Sequence, residues 1–390
     1  MGKCLSVLHI IRSVDIAQGG TIQAIIQTIE NLPSDQILEV VCLDDPTSDH
    51  VLNFNGVVHA VGPTKGVYGY SSNLKEWIKS NANRFDVAVI HGLWTHAAIG
   101  GWQGCKEANL PYVIFPHGMM DPWFKKRYPL KHLKKQIFWF LQGKVLRDAN
   151  EVLFTCEEEK KLAEGVFWGY SYQPCVVAFG APDVPSYKSN DRKLLATILP
   201  NLGEKPFLLF LSRIHEKKGC DLLLKGFAEA KKRKELQLVI AGPCDNDLES
   251  NLKEMAVSLG ISERVHWPGM LRDEYKSTAF NQAEAFVLIS HQENFGISVA
   301  ESLAYGKPVL ISNKINIWRE IEKGNGGLIS SDTVSGAVEV IEKWESLNLN
   351  QKLEMELNAR NVYENNFTVQ KATQELTNAL IRAKNANKFN

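Results

Sequence analysis

A strand–loop–helix–strand pattern in the second half of the chain constrains the fold more than any other sequence feature. An apolar run at 285–289 predicts a buried strand, and a short polar loop separates it from a predicted helix at 297–305. Gly306 and Pro308 end that helix before a second apolar run at 309–311. Two buried strands joined by a helix form a parallel βαβ unit, so the chain is expected to build α/β layers.

Two glutamates lie within this unit at informative places. Glu293 is in the loop that leaves the first strand, and Glu301 lies about one turn into the helix. Open α/β sheets bind ligands at the carboxyl ends of their strands, so both carboxylates are expected to line one crevice. The alternative is two solvated carboxylates, and the spacing alone does not decide between the two.

Length and composition limit the classes of protein. The chain has 390 residues, 44% apolar and 23% charged, which indicates a soluble globular protein of two domains. The formal net charge is zero, so nucleic acid is not an expected partner. The seven cysteines are scattered and form no C-x-x-C pair, which argues against a zinc site and fits the reducing cytoplasm. No signal peptide or membrane-spanning run is apparent, and we expect a cytoplasmic protein.

Predicted strands and helices alternate in both halves of the chain. A polar, proline-containing segment that begins at 181–186 predicts the linker between them, and the second alternation begins with the strand Phe207–Leu211. We therefore predict an N-terminal, acceptor-side Rossmann-like domain at 1–185 and a C-terminal, donor-binding one at 186–366, facing each other across a cleft. A final helix at 367–390 could pack back on the first domain.

A basic loop follows the strand Phe207–Leu211. Arg213 and Lys218 both come from this loop, and Gly219 precedes the next predicted helix. A fork-shaped donor, a point charge and a helix N-terminus together suit a diphosphate. The alternative is a solvated basic loop.

Three further segments are weaker candidates. His117 stands between Pro116 and Gly118 just after the predicted strand Tyr112–Phe115, which places it at a ligand-binding sheet edge. The glycine pair 19–20 lies between the first strand and the first helix, where glycines permit close approach of a ligand. The strand end at 265–270 could offer backbone groups to a flat base. Each has a purely structural alternative: a core histidine, a tight turn and an ordinary strand end.

The segment 125–141 joins a basic stretch to an apolar one. Six of the eleven residues at 125–135 are Lys or Arg, and bulky apolar residues follow at 137–141. Such a stretch can lie on an anionic membrane or hold an anionic acceptor. The alternative is a solvated helix whose apolar end, 137–141, belongs to the core.

Taken together, these motifs resemble family 4 of the retaining glycosyltransferases, which have the two-domain GT-B fold. The resemblance extends over nearly the whole chain and is strongest at 207–308. The residues that carry it are Gly19-Gly20, Pro116-His117-Gly118, Ser212-Arg213 with Lys218-Gly219, and Glu293-Asn294-Phe295-Gly296 with Glu301.

The resemblance implies a role for each of these residues. Arg213 and Lys218 would hold the donor diphosphate, Glu301 the ribose hydroxyls, and Glu293 the donor sugar. His117 would lie near the reaction centre. The remaining donor-binding residues implied are Gly19, Gly20, Gly269, Met270, Asn294, Phe295, Gly296 and Ile297.

The resemblance also implies the reaction. We expect transfer of a hexose, glucose, from UDP-glucose to a polysaccharide or lipid-linked glycan, with retention by a front-face mechanism. Cations and helix ends would stabilise the leaving phosphate without a metal, and no cofactor is expected. No Asp-x-Asp metal motif appears at a suitable position, which agrees with that expectation.

Two departures and two alternatives remain. The chain has Ala17-Gln18-Gly19-Gly20 where starch and glycogen synthases carry Lys-x-Gly-Gly, so their activity is not expected. The segment 313–320 stands where the family usually has glycines before an acid, which leaves the shape of the sugar pocket open. The competing functions are a non-hydrolysing sugar-nucleotide epimerase and a non-catalytic sugar-nucleotide-binding subunit. Peripheral association with the inner face of the plasma membrane, in exopolysaccharide synthesis, completes the prediction.

Overall fold

The computed structural model describes residues 4–18, 20–184, 192–231, 233–244 and 247–386. The chain divides into two compact units, which consist of residues 1–180 with 369–390 and of residues 181–368. The predicted domain boundaries at 185/186 and 366/367 lie within five residues of these divisions. Much of the predicted linker, 185–191, lies outside the described residues.

The first unit is built on a parallel seven-stranded sheet with the order β3-β2-β1-β4-β5-β6-β7. Its strands are β1 (Leu5–Ile10), β2 (Gln36–Cys42), β3 (Val57–Ala60), β4 (Val87–His91), β5 (Tyr112–Phe115), β6 (Val152–Phe154) and β7 (Pro174–Val176). Its helices are α1 (Gly20–Glu30), α2 (Asp49–Leu52), α3 (Ser72–Asn81), α4 (His96–Glu107), α5 (Trp123–Arg127), α6 (Pro129–Asp148) and α7 (Glu157–Ala163), with the last helix of the chain. The strand order reverses between β1 and β4, both of which are buried apolar runs.

The second unit contains a parallel six-stranded sheet with the order β10-β9-β8-β11-β12-β13. Its strands are β8 (Phe207–Leu211), β9 (Gln237–Ala241), β10 (Val265–Gly269), β11 (Ala285–Leu288), β12 (Val309–Ser312) and β13 (Gly327–Ser330). Its helices are α8 (Arg192–Ile198), α9 (Cys220–Glu229), α10 (Leu248–Ser258), α11 (Asp273–Gln282), α12 (Ile297–Ala304), α13 (Trp318–Lys323), α14 (Val334–Ser346) and α15 (Leu349–Asn366). Here the strand order reverses between β8 and β11, which pair in parallel.

The last helix, α16 (Val369–Asn385), packs on the sheet of the first unit. Leu376, Ala379 and Leu380 lie on its buried face and join a cluster with side chains of β1, β4 and β5. A parallel sheet needs helices on both faces, and α16 covers part of one face after the chain has returned from the second unit.

The α/β fold class with two doubly wound sheets is confirmed. All seven cysteines are free thiols. Within the described residues, no helix has both the length and the apolar character needed to cross a bilayer.

Candidate functional site

In the second unit, the loops after β8 and β11 meet where the strand order reverses. Gly219 makes this approach possible, because a Cβ at this position would overlap the carbonyl oxygen of Ile289. Its φ of 64° also lies in the left-handed region, which favours glycine. The amide of His291 donates to the carbonyl of Lys217 over 2.7 Å and joins the two loops a second time. The two loops that carry the predicted donor-binding residues therefore meet at the edge where doubly wound sheets usually bind ligands.

Lys218 and Glu293 are brought into direct contact, although they are separated by 75 positions. The ammonium Nζ and the carboxylate Oε2 form an ion pair, and the side chains are 16% and 21% exposed. Burial lowers the pKa of Lys218 to about 8, and the charges of Arg213 and Lys217 act in the same direction. The carboxylate of Glu293 opposes this shift, since it stabilises the charged ammonium.

Arg213 lies at the start of the same loop and is exposed. No carboxylate among the described residues forms an ion pair with its guanidinium. Of Arg213 and Lys218, only Lys218 pairs with an acid among the described residues, and that acid is Glu293. This imbalance leaves capacity for an anionic ligand such as a diphosphate.

The segment after β12 holds the Glu293 loop in place. The amide of Glu293 donates to the carbonyl of Lys314 over 2.9 Å, and the amide of Asn316 donates to the carbonyl of Glu293 over 3.1 Å. Ile315 and Ile317 are fully buried beneath these contacts. The unusual sequence at 313–320 therefore supports the loop through its backbone and through two buried isoleucines.

The residues between the two glutamates shape the start of α12. Gly296 has φ 76° and precedes the helix, while Ile297 is its first residue. The ring of Phe295 is buried and packs edge-to-face on Phe367, with 5.6 Å between the centroids. The side-chain Nδ2 of Asn316 donates to Oδ1 of Asn294 over 3.4 Å. Phe295 thus anchors the loop, and any ligand contact of this residue falls to its backbone.

Glu301 lies in α12, and its carboxylate is paired by a residue that the sequence analysis missed. The ammonium of Lys276, on α11, contacts Oε1 of Glu301 at 2.6 Å. The pairing orients the Glu301 carboxylate, which suits an acceptor for ribose hydroxyls. Nothing in the sequence links two positions 25 residues apart on different helices, so no sequence signal pointed to Lys276.

Gly269 and Met270 end β10 at the same edge of the sheet. Gly269 has φ 72°, and its carbonyl accepts from the amide of Gly242 at 2.8 Å. The side chain of Met270 is exposed. The predicted turn is present, but the carbonyl of Gly269 already accepts a hydrogen bond from Gly242.

In the first unit, His117 ends a chain of three hydrogen-bonded imidazoles at the β1/β4 reversal. Nδ1 of His9 lies 2.9 Å from Nε2 of His91, and Nδ1 of His91 lies 3.0 Å from Nε2 of His117. Burial lowers the pKa of His9 to about 3 and that of His117 to about 4, and it holds the pKa of His91 well below its ordinary value. All three rings are therefore neutral at pH 7.

The donor and acceptor roles in the row of three imidazoles follow from the environment of His9, at its buried end. Nε2 of His9 has no hydrogen-bond partner among the described residues. An unprotonated nitrogen is more favourable at this position than an N–H group, because buried donors without a partner are rarer in proteins than buried acceptors without one. We therefore assign the protons to Nδ1 of His9 and of His91. His117 then accepts at Nε2 and carries its own proton on Nδ1, where it can donate to a ligand.

Glu159 supports the His117 turn and was also missed by the sequence analysis. Its buried carboxylate accepts from the amide of Gly118 at 2.6 Å and from the amide of Thr155 at 2.7 Å. His117 itself has φ 51°, a left-handed conformation that is uncommon for residues other than glycine. Gly20 is the first residue of α1, whereas Gly19 lies outside the described residues.

The basic segment forms α5 and the start of α6. Trp139 is buried, but Leu130, Leu133, Ile137 and Phe140 are 53–77% exposed. The alternative that the apolar end of this segment belongs to the core is therefore wrong for Ile137 and Phe140. In the described part of the chain, no group of three or more His, Cys, Asp or Glu side chains is arranged to hold a metal ion.

Two family descriptions match the two halves of the chain. Residues 191–362 match "Glycosyl transferases group 1", and residues 19–178 match "Glycosyl transferase 4-like domain".

Curated relatives match over shorter segments. The D-inositol 3-phosphate glycosyltransferase of Nocardia farcinica (strain IFM 10152) is 29% identical over 195 residues, which cover 48% of this chain and 43% of that protein. The mannosylfructose-phosphate synthase of Agrobacterium fabrum (strain C58 / ATCC 33970) is 32% identical over 134 residues, which cover 33% of this chain and 30% of that protein. The chain thus matches less than half of the length of either relative.

Solved structures match over almost the whole chain. HepE of Anabaena, in complex with UDP and glucose, superimposes with a TM-score of 0.75 at 17% identity and covers 97% of this chain and 99% of its own. The sucrose-phosphate synthase of Thermosynechococcus elongatus superimposes with a TM-score of 0.72 at 17% identity, with coverage of 96% and 98%. At these identities the likeness establishes a shared fold.

Proposed function

Since the chain belongs to the glycosyl transferases of group 1, we propose that it is a retaining hexosyltransferase that moves glucose from UDP-glucose to a polysaccharide or lipid-linked glycan. The choice of donor is supported by the fold-level likeness to HepE, whose structures hold UDP with glucose, or UDP-glucose. We place the reaction in exopolysaccharide synthesis and assign it no metal and no cofactor.

This proposal rests on the ion pair between Lys218 and Glu293, which lies where the strand order reverses between β8 and β11. Arg213 lies on the same loop as Lys218. A bound diphosphate would recruit both cations, because phosphate oxygens satisfy charged donors better than one carboxylate does. Release of Lys218 would leave the carboxylate of Glu293 free to accept hydrogen bonds from sugar hydroxyls. The ion pair therefore marks where phosphate and sugar would adjoin.

In the proposed chemistry, the anomeric carbon is the electrophile and the two cations stabilise the leaving group. The acceptor oxygen attacks the anomeric carbon on the face from which UDP departs, and the bond from that carbon to the phosphate oxygen breaks. The β-phosphate takes up the acceptor proton, while Arg213 and Lys218 stabilise the charge that develops on it. Glu293 has a binding role here, and no glycosyl-enzyme bond to Glu293 is formed.

Other residues complete the donor site in this proposal. Glu301, oriented by Lys276, would accept the ribose hydroxyls, and the backbone at Gly269 and Met270 would contact the base. In the first unit, we propose that the Nδ1–H of His117 donates to a sugar hydroxyl.

Calorimetric titration with UDP tests the donor site. Arg213→Ala and Lys218→Ala should each weaken UDP binding about tenfold to a hundredfold, since each removes a charge-assisted hydrogen bond. Lys225→Ala is the matched control, because Lys225 lies on α9 and pairs with Asp221 one turn before it on the same helix. Equal UDP affinity in all three variants would refute the diphosphate assignment. Product analysis without an acceptor then separates transfer from epimerisation, because an epimerase converts the donor by itself.

We also propose that α6 brings the protein to the inner face of an anionic plasma membrane. The exposed side chains Leu130, Leu133, Ile137 and Phe140 follow helical spacing and form one apolar stripe, and exposed cations flank it. Electrostatic attraction and apolar insertion then act together, and each surface cation contributes about 1 kcal/mol.

Liposome sedimentation at low salt tests this surface. Charge reversal at Lys125, Lys126, Arg127 and Lys131 should release the protein from anionic vesicles, with UDP binding unchanged. Ile137→Ser with Phe140→Ser should weaken vesicle binding with all cations retained. Wild-type protein that stays in solution with such vesicles would rule out the membrane role.

A further inference from the structure

The row of three imidazoles formed by His9, His91 and His117 crosses the sheet of the first unit. His9 belongs to β1, His91 ends β4 and His117 follows β5, and these three strands are neighbours in the sheet. The ring planes of His9 and His91 differ by 22°, and those of His91 and His117 by 12°. Centroid distances of 5.0 and 5.2 Å, with the bonded nitrogens 2.9 and 3.0 Å apart, place the rings side by side. Each N–H can therefore point along its ring plane at the lone pair of the next ring.

The buried end of the row favours donation toward His117. His9 is 1% exposed, and its ring lines a cavity of about 50 Å³ whose walls come from α1, α16 and the sheet. The described lining of this cavity contains no Asp or Glu side chain. No carboxylate among these residues can therefore accept from His9, and the proton of His9 is used in the bond to His91.

The other end of the row controls the ring of His117. The backbone there is held by the amide of Gly118, which donates to the buried carboxylate of Glu159 at 2.6 Å. A fixed backbone still leaves open which edge of the ring faces His91 and which nitrogen carries the proton. The hydrogen bond from Nδ1 of His91 to Nε2 of His117 decides both, because a nitrogen that accepts is unprotonated.

We propose that His91 and His9 are positioning residues for the proposed glucosyl transfer. His91 donates to Nε2 of His117 and thereby holds the proton of His117 on Nδ1, and His9 fixes the tautomer of His91 in the same way. The inference rests on the proposed function, in which the Nδ1–H of His117 donates to a sugar hydroxyl. It adds to the reaction centre two buried side chains that act only through His117.

Two substitutions at His91 separate this role from a purely structural one. His91→Leu removes the donor, whereas His91→Asn keeps an N–H donor close to the position of Nδ1. His91→Leu should lower kcat for transfer from UDP-glucose about tenfold, with UDP affinity within about twofold of the wild type, since one hydrogen bond to the sugar is misplaced. His91→Asn should recover most of the lost kcat.

His96→Leu is the matched control for the loss of a buried imidazole. His96 is 5% exposed and His91 is 6% exposed, and both belong to the first unit. Nε2 of His96 lies 2.8 Å from the carbonyl oxygen of Ser71, outside the row. This variant should lose stability and keep the kcat of the wild type.

Nitrogen-15 NMR of protein labelled at its ten histidines measures the tautomers without any activity. The signals that disappear in His117→Asn identify the ring of His117. In the wild type and in His91→Asn at pH 7.5, Nδ1 of His117 should be protonated and Nε2 unprotonated. In His91→Leu the proton should be shared between the two nitrogens, because no donor constrains the ring.

A proton on Nε2 of His117 in the wild type would overturn the proposal, and this measurement does not depend on any variant that removes His91. Equal kcat in His91→Leu and His96→Leu, or no recovery in His91→Asn, would overturn it as well. Absence of transfer from UDP-glucose by the wild type would instead contradict the proposed function. The NMR measurement would still decide whether His91 controls the tautomer of His117.

Discussion

Acidification should destabilise the first unit through its buried histidines. His9 and His91 are 1% and 6% exposed and neutral in the fold, because burial lowers both pKa values far below the ordinary 6.5. The unfolded chain takes up a proton at each ring below pH 6.5, whereas the folded chain does not until much lower pH. The stability that depends on these two histidines is therefore fully present above pH 6.5. It is lost as the pH falls from 6.5 toward the pKa values of the folded state.

The size of the effect follows from the linkage relation. Between pH 7.5 and pH 5, each neutral buried histidine should cost about 2 kcal/mol of unfolding free energy, because the unfolded imidazole binds its proton over about 1.5 pH units at 1.36 kcal/mol per unit. Two rings give about 4 kcal/mol, a large part of the 5–15 kcal/mol typical of a domain. His117 adds to this loss.

Urea unfolding at pH 7.5 and pH 5 measures the loss, with hydrogen exchange of the amides of β1 and β4 as the probe of the first unit. His91→Gln should reduce the pH-dependent loss by about 2 kcal/mol, since one titrating ring is absent. Leu52→Gln, at a 68% exposed position of the same unit, is the control, and its pH-dependent loss should match that of the wild type because no titrating ring is removed. A wild-type loss below about 1 kcal/mol, or an unchanged loss in His91→Gln, would refute this reasoning.

Three further results are expected. UDP affinity should fall up to about tenfold per pH unit above pH 8, because Lys218 must be charged to bind phosphate and its pKa is lowered to about 8; titrations at pH 7, 8 and 9 would expose a flat profile if this is incorrect. Glu301→Gln should weaken UDP binding, whereas Glu293→Gln should mainly lower turnover; equal losses of UDP affinity would show the two roles to be misassigned. Gly219→Ala should destabilise the second unit more than Gly260→Ala, since both have left-handed backbones costing about 1–2 kcal/mol but only Gly219 faces a carbonyl oxygen; equal unfolding free energies would contradict the close-approach argument.

Local sequence patterns were sufficient to predict strands in both sheets. The predicted strands Tyr112–Phe115 and Phe207–Leu211 match the structure residue for residue. Strands of a parallel sheet are buried on both faces, so their runs are continuously apolar and can be recognised without knowledge of the neighbours. The loop with Glu293 and the helix with Glu301 were also predictable from local sequence, because Gly296 precedes the helix and Gly306 and Pro308 follow it.

Helix ends were less predictable where distant side chains compete for the backbone. The sequence from Cys220 to Arg233 has a helical pattern, but the helix ends at Glu229 in the structure. Beyond it, the amides of Lys231 and Arg233 donate to carboxylates of α14 at 2.9 and 3.0 Å. Those acids lie more than 100 positions away, so the local pattern contains no sign of them.

The same distinction applies to the candidate site. The residue types and their places at strand ends were readable from sequence, because a parallel sheet puts all such loops at one edge. The partners were not: Lys276 on Glu301, Glu159 beneath Gly118, and His9 and His91 behind His117 are set by packing between separate elements. The sequence by itself determined which groups stand at each sheet edge, whereas tertiary contacts decided their protonation and pairing, since both depend on burial and on neighbours that are remote along the chain.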